Sequence, residues 1–124
     1  MTKKPPIFIL DSDEKFAGCL ARYIKKAGGE PKIFKNLFEM NAGLSVTIPR
    51  LIFFDPLLDG PDAFGFLNEL MSYDDTNKIP LAIVSNLSFN LADFEDYPMR
   101  AIFNKSRLRP EDIIAFVKHA GLSH

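Results

Sequence analysis

Four runs of consecutive apolar residues, each closed by a polar side chain, constrain this chain more than any other feature. They are Ile7-Phe8-Ile9-Leu10 before Asp11, Leu51-Ile52-Phe53-Phe54 before Asp55, Leu81-Ala82-Ile83-Val84 before Ser85, and Ala101-Ile102-Phe103 just ahead of Lys105. A strand that is apolar without alternation is covered on both faces, which is the habit of parallel sheets flanked by helices. The intervening segments have the helical period. Phe16, Cys19, Leu20, Tyr23, Ile24 and Ala27 recur at three- and four-residue steps, with Ser12 or Asp13 as the cap and Gly28-Gly29 as the stop. A weaker strand, Lys32-Ile33-Phe34, precedes a short helix carrying Leu37, Met40 and Leu44.

The turn Asp59-Gly60-Pro61-Asp62 leads into a helix with Phe66, Leu67, Leu70 and Met71, and the polar stretch Tyr73–Lys78 ends it. Pro110, Glu111 and Asp112 open a last helix that Gly121 is expected to stop. Residues 86–98 show only a faint pattern of Leu91 and Phe94 before Pro98, and no clear fourth helix. Five β-α pairs predict an α/β three-layer sandwich, with a five-stranded parallel sheet in the order 2-1-3-4-5.

The chain has 124 residues, a length that suits one domain over 1–124. Lys+Arg number 15 against 16 Asp+Glu, so no basic field recruits nucleic acid or an anionic membrane. Cys19 stands alone, which leaves no disulfide framework and makes the reducing cytoplasm the default compartment. No apolar run approaches the length of a membrane span, and the Met1–Pro6 start lacks a signal-peptide core. Cys19 reads as a buried core thiol, and Phe89 and Phe94 as a candidate exposed docking patch.

Ligands of open parallel sheets bind beyond the carboxyl ends of the strands. The residues expected there are Asp11, Asp55, Ser85 and Lys105. In the order 2-1-3-4-5 the first and third strands are neighbours, which sets Asp11 beside Asp55. Two adjacent carboxylates repel unless a cation lies between them, and a hard divalent ion such as Mg²⁺ relieves this while leaving positions for phosphate oxygens. Ser85 offers a hydroxyl and Lys105 a positive charge, both suited to a phosphoryl group.

The runs IFILDSD, LIFFDPLLDGPDAFGFLNEL, IPLAIVSN and IFNKS, in this order over nearly the whole chain, resemble the receiver domain of two-component response regulators, the CheY-like family. The resemblance implies that Asp55 accepts a phosphoryl group from a sensor histidine kinase or a phosphotransfer protein, with Ser85 and Lys105 binding the transferred group. It implies Mg²⁺ held by Asp11, Asp55 and the backbone carbonyl of Leu57, with Ser12 or Asp13 as a further ligand. At most it implies phosphorylation from a phosphodonor and slow autodephosphorylation, with output through protein contacts and no direct contact with nucleic acid or membrane.

The departures carry equal information. Ser12 stands where the family has a second acid, which predicts weak Mg²⁺ binding. Asp59 and Ala63 replace the family's usual Pro and Gly after the acceptor. Ser106 replaces the proline after the lysine, and a trans bond is expected because a cis bond before a non-proline costs about 3 kcal/mol. Ile102 occupies the place of the switching aromatic, and Phe103 points to the opposite face.

An alternative is a degenerate receiver acting as an unphosphorylated protein-binding module. ILDSD also resembles the opening motif of haloacid-dehalogenase-type phosphatases, with Asp11 as nucleophile and Asp13 as acid/base. That family's closing acidic pair after a later strand is missing here.

Overall fold

The computed structural model describes residues 4–57 and 63–122, so the predicted turn at residues 59–62 lies outside the described residues. Strands β1 (Pro6–Leu10), β2 (Glu30–Phe34), β3 (Leu51–Phe54), β4 (Leu81–Ser85) and β5 (Met99–Asn104) form one sheet in the order β2-β1-β3-β4-β5. Every adjacent pair is parallel. Fold class and strand order are as the pattern predicts.

The period-two geometry of each strand divides its side chains between two cores. Ile7, Ile9, Leu51, Phe53, Ala82 and Val84 pack on one face with Ala17, Leu20, Ile24 and Ala27 of helix α1 (Glu14–Ala27) and Ile113 of α4 (Pro110–Phe116). Phe8, Leu10, Ile52, Phe54, Leu81 and Ile83 pack on the other, with Met40 of α2 (Leu37–Leu44) and Phe66, Leu67 and Leu70 of α3 (Ala63–Met71). The three central strands are apolar, apart from Ser85 at the end of β4, because both of their faces are covered. No helix among the described residues is long and apolar enough to cross a membrane.

Local signals set the ends of α1. The Asp13 carboxylate accepts from the Phe16 N–H at 3.1 Å, satisfying one of the free donors of the first turn. Gly28 ends the helix at φ 102°, a left-handed conformation that glycine adopts without steric cost, and the Gly29 N–H returns to the Ile24 carbonyl at 3.0 Å. Asn36 caps α2 in the same manner as Asp13 caps α1.

Three expectations need correction. Gly121 does not stop the last helix, which continues from α4 as a widened π-type turn over Val117–Leu122. A Cβ on Gly121 would lie 3.2 Å from Ile7 and 3.3 Å from Leu51, so the glycine is there for close approach to the sheet. Phe94 is core, with 3% exposure, and Phe89 packs edge-on against it at 6.2 Å. Cys19 is only half-buried, because it lies at the border of the α1 apolar face, where its Sγ meets the Tyr23 hydroxyl at 3.2 Å.

The segment after β4 holds a single 3-10 turn, Leu91–Phe94, in place of a helix. It is fastened to α3 by the Phe64–Phe94 ring stack and by a hydrogen bond that the Tyr97 hydroxyl donates to Asn68 Oδ1 at 2.7 Å. Ile102 packs with the α2–α3 core, whereas Phe103 packs with the α1–α4 core beside Phe53 and Phe116. No peptide bond among the described residues is cis, the Lys105–Ser106 bond included.

Candidate functional site

Register alone places the two acids side by side. Leu10 pairs with Phe54 across β1 and β3, and the next residue on each strand is an aspartate. The ladder runs one step further: the Asp55 N–H donates to the Leu10 carbonyl at 3.1 Å and the Asp11 N–H to the Phe34 carbonyl at 3.0 Å. From the far side of the sheet, β5 delivers Lys105, whose N–H donates to the Ser85 carbonyl at 2.9 Å.

The lysine bridges the acids. Its Nζ lies 2.8 Å from Asp11 Oδ2 and 2.9 Å from Asp55 Oδ2. All three side chains are nearly closed off from solvent, at 7% exposure for Lys105, 1% for Asp11 and 10% for Asp55. The other carboxylate oxygens are used locally: Asp11 Oδ1 accepts from the Asp13 N–H and Asp55 Oδ1 from the Leu57 N–H, each at 2.9 Å. Both loops therefore turn tightly around the carboxylate that precedes them, as Asx turns do.

Ser85 is fully buried at the end of β4, and its Oγ accepts from the Leu87 N–H at 3.1 Å. Ser12 is exposed. Asp13 is exposed as well, and its carboxylate is engaged in capping α1. Leu57 presents its amide to Asp55 Oδ1.

Charge in this pocket is unbalanced, since two carboxylates face one ammonium. Burial is the foremost influence on Asp11 and pushes its pKa upward, with the Asp55 charge adding to it, against the downward pull of Lys105 and the Asp13 N–H. For Lys105, burial acts downward, but the contacts and charges of Asp11 and Asp55 together outweigh it and hold the ammonium above its ordinary pKa. Asp11 Oδ2 is a buried oxygen whose ammonium contact is a charge contact, without a hydrogen bond of good geometry.

An under-satisfied carboxylate oxygen beside a second carboxylate is a donor set that fits a hard divalent cation. The fit is a minimal one, since no group of three or more His, Cys, Asp or Glu comes together among the described residues.

Phe16 reads in the sequence as part of the apolar stripe of α1 and not as a site residue. Its ring centroid lies 4.6 Å from Lys105 Nζ. The available signal was its place as the third residue of α1, in the first turn beyond the end of β1, where a side chain on the apolar stripe reaches the strand ends.

The fold itself is that of response regulator receiver domains. Chemotaxis response regulator CheY4 of Vibrio cholerae superposes with a TM-score of 0.82 at 12% identity, over 95% of this chain and 99% of that one. A response regulator from Thermotoga maritima gives 0.78 at 16% identity, over 95% and 98% of the two chains. A two-component response regulator from Clostridium difficile gives 0.80 at 17% identity, over 94% and 95%. No protein-family model and no curated protein matches the sequence.

Proposed function

We propose that the chain is a two-component signalling receiver in which Asp55 accepts a phosphoryl group from a histidine kinase or a phosphotransfer protein. The observation that carries this reading is the convergence of Asp11, Asp55 and Lys105 at the carboxyl ends of β1, β3 and β5. An Asp55 oxygen attacks phosphorus, the O–P bond forms, and the P–N bond of a phosphohistidine breaks with release of imidazole. Charge spreads over the equatorial oxygens during such a transfer, and Lys105 neutralises part of it once it lets go of one carboxylate. Ser85 turns its hydroxyl from Leu87 toward the new phosphoryl oxygen. Mg²⁺, when bound by Asp11 and Asp55, supplies further neutralisation of the phosphoryl charge.

Intact mass after incubation with acetyl phosphate and Mg²⁺ tests this directly. One phosphoryl adduct is expected on the wild type and none on Asp55→Asn. No adduct on the wild type would reject phosphoacceptance and favour the second reading, an unphosphorylated protein-binding module. Ser12 in place of an acid and Lys105 clamped between both carboxylates are the observations on that side.

The output surface follows from the same structure. A phosphoryl group shifts a two-state element only through contacts that differ between the states. The segment after β4 has no α-helix to move and is pinned to α3 through Phe94 and Tyr97, and Ile102, packed against the same core, has neither a polar tip nor a flat ring. Amide shifts over residues 86–108 on adding beryllofluoride should therefore be confined to the neighbours of Ser85 and Lys105. Large concerted shifts throughout the segment would show a conventional switch. With shifts so confined, partners read the constitutive surface more than the phosphate.

A further inference from the structure

The ammonium of Lys105 lies against both carboxylates, 2.8 Å from Asp11 Oδ2 and 2.9 Å from Asp55 Oδ2. Against the same ammonium lies the face of Phe16, 4.6 Å from Nζ to the ring centroid. A ring face carries the negative side of the aromatic quadrupole and attracts a cation, more strongly where water is excluded. The backbone of Phe16 is fixed in turn, because its N–H is held by Asp13 at the start of α1. The acid nearest the usual metal-ligand position thus anchors the helix turn that carries the ring.

We propose that Phe16 is a positioning residue for Lys105. Its ring holds the ammonium across Asp11 and Asp55, and this makes Lys105 a tethered cation that a divalent ion must displace. The inference rests on the metal-binding part of the reading above and is independent of phosphoryl transfer. A flexible four-carbon side chain has many rotamers, and few of them reach both carboxylates. Removing the ring face releases Lys105 to those other rotamers and uncovers the two carboxylates for Mg²⁺.

The test uses the unphosphorylated protein and no phosphodonor. Phe16→Leu keeps an apolar side chain of similar bulk without the aromatic face, and Phe16→Tyr keeps the face. Mg²⁺ affinity is read from amide shifts at Asp11 and Asp55, and the position of Lys105 from the proton shift of its ε-methylene, which the Phe16 ring current moves upfield. Phe16→Leu should bind Mg²⁺ about three- to tenfold more tightly than the wild type and lose the upfield shift. Phe16→Tyr should keep the shift and stay within about twofold of the wild-type affinity.

In a Lys105→Met background, Phe16→Leu should leave the affinity unchanged. Equal tightening in that background would assign Phe16 a purely structural role and overturn the proposal. So would a Phe16→Leu protein that binds Mg²⁺ no better than the wild type, or that binds none. A protein that shows the expected pattern yet takes up no phosphoryl group would reject phosphoacceptance and leave this proposal standing.

Discussion

Lys105→Met is expected to lower stability at pH 7 by about 2–4 kcal/mol, because it leaves two adjacent buried carboxylates without their cation. That is a large share of the roughly 5–15 kcal/mol that holds a domain folded. The penalty should shrink on acidification. In the wild type burial holds the Asp11 pKa above its ordinary value, so the folded state binds the proton more tightly than the unfolded state does. Its contribution is therefore most favourable at low pH and is lost as pH rises from the unfolded value, about 3.9, through the raised folded value.

Removing the ammonium raises that folded value further and moves the window toward neutrality. Lys105 adds a second loss of the same sign at the alkaline end. Its stabilisation is complete below the unfolded lysine value, about 10.4, and is lost as pH rises through the raised folded one. Urea unfolding of wild type and Lys105→Met at pH 5 and pH 7 measures this; a difference that does not narrow at pH 5 would contradict the pairing. Asp11→Asn should behave oppositely, since it leaves a balanced Asp55–Lys105 pair.

Ser12→Asp is expected to tighten Mg²⁺ binding by about tenfold or more. A third carboxylate at the end of β1 adds a charged oxygen to a donor set of two, and a unit charge about 4 Å away contributes up to roughly 4 kcal/mol at an effective dielectric of 20. Exposure of Ser12 reduces this to the order of 1–2 kcal/mol, which is about one decade in affinity. The same substitution adds a negative charge to a pocket that already has one in excess, so it should destabilise the metal-free protein and be rescued by millimolar Mg²⁺. Amide-shift titration and melting with and without Mg²⁺ give both readings. An unchanged affinity would mean that Asp13 leaves its cap to bind the ion.

The likeness to receivers extends over more than nine-tenths of the chain at 12–17% identity in the three comparisons, so what is shared is backbone and not side chains. The sequence departs from the receiver pattern at Ser12, Ile102 and Ser106. The convergence of Asp11, Asp55 and Lys105 is present despite those departures, because strand order and register bring the three strand ends to one edge of the sheet.

The central strands and the polar residue closing each of them were legible in the sequence for one physical reason. Burial on both faces forces an unbroken apolar run, and the first polar residue marks where the cover ends. The start of α1 at Asp13 and its stop at Gly28 were legible because a cap and a left-handed glycine act through backbone groups within a few residues.

Tertiary structure alone decided the rest. A lysine at the end of β5 reaches either carboxylate or both according to distances that no sequence spacing encodes, and the structure puts it on both. Phe16 reads in sequence as one more apolar residue at helical spacing; only the approach of β5 turns its face into a support for an ammonium. Gly121 reads as a helix stop because its neighbours end the apolar stripe, yet its lack of a side chain serves contact with Ile7 and Leu51, two strands distant in the chain. Phe94 reads as exposed in a segment without periodicity, and it is buried because α3 supplies Phe64 to stack on it. Local chemistry determines where elements begin and end, whereas charge pairing and close packing depend on which ends the fold brings together.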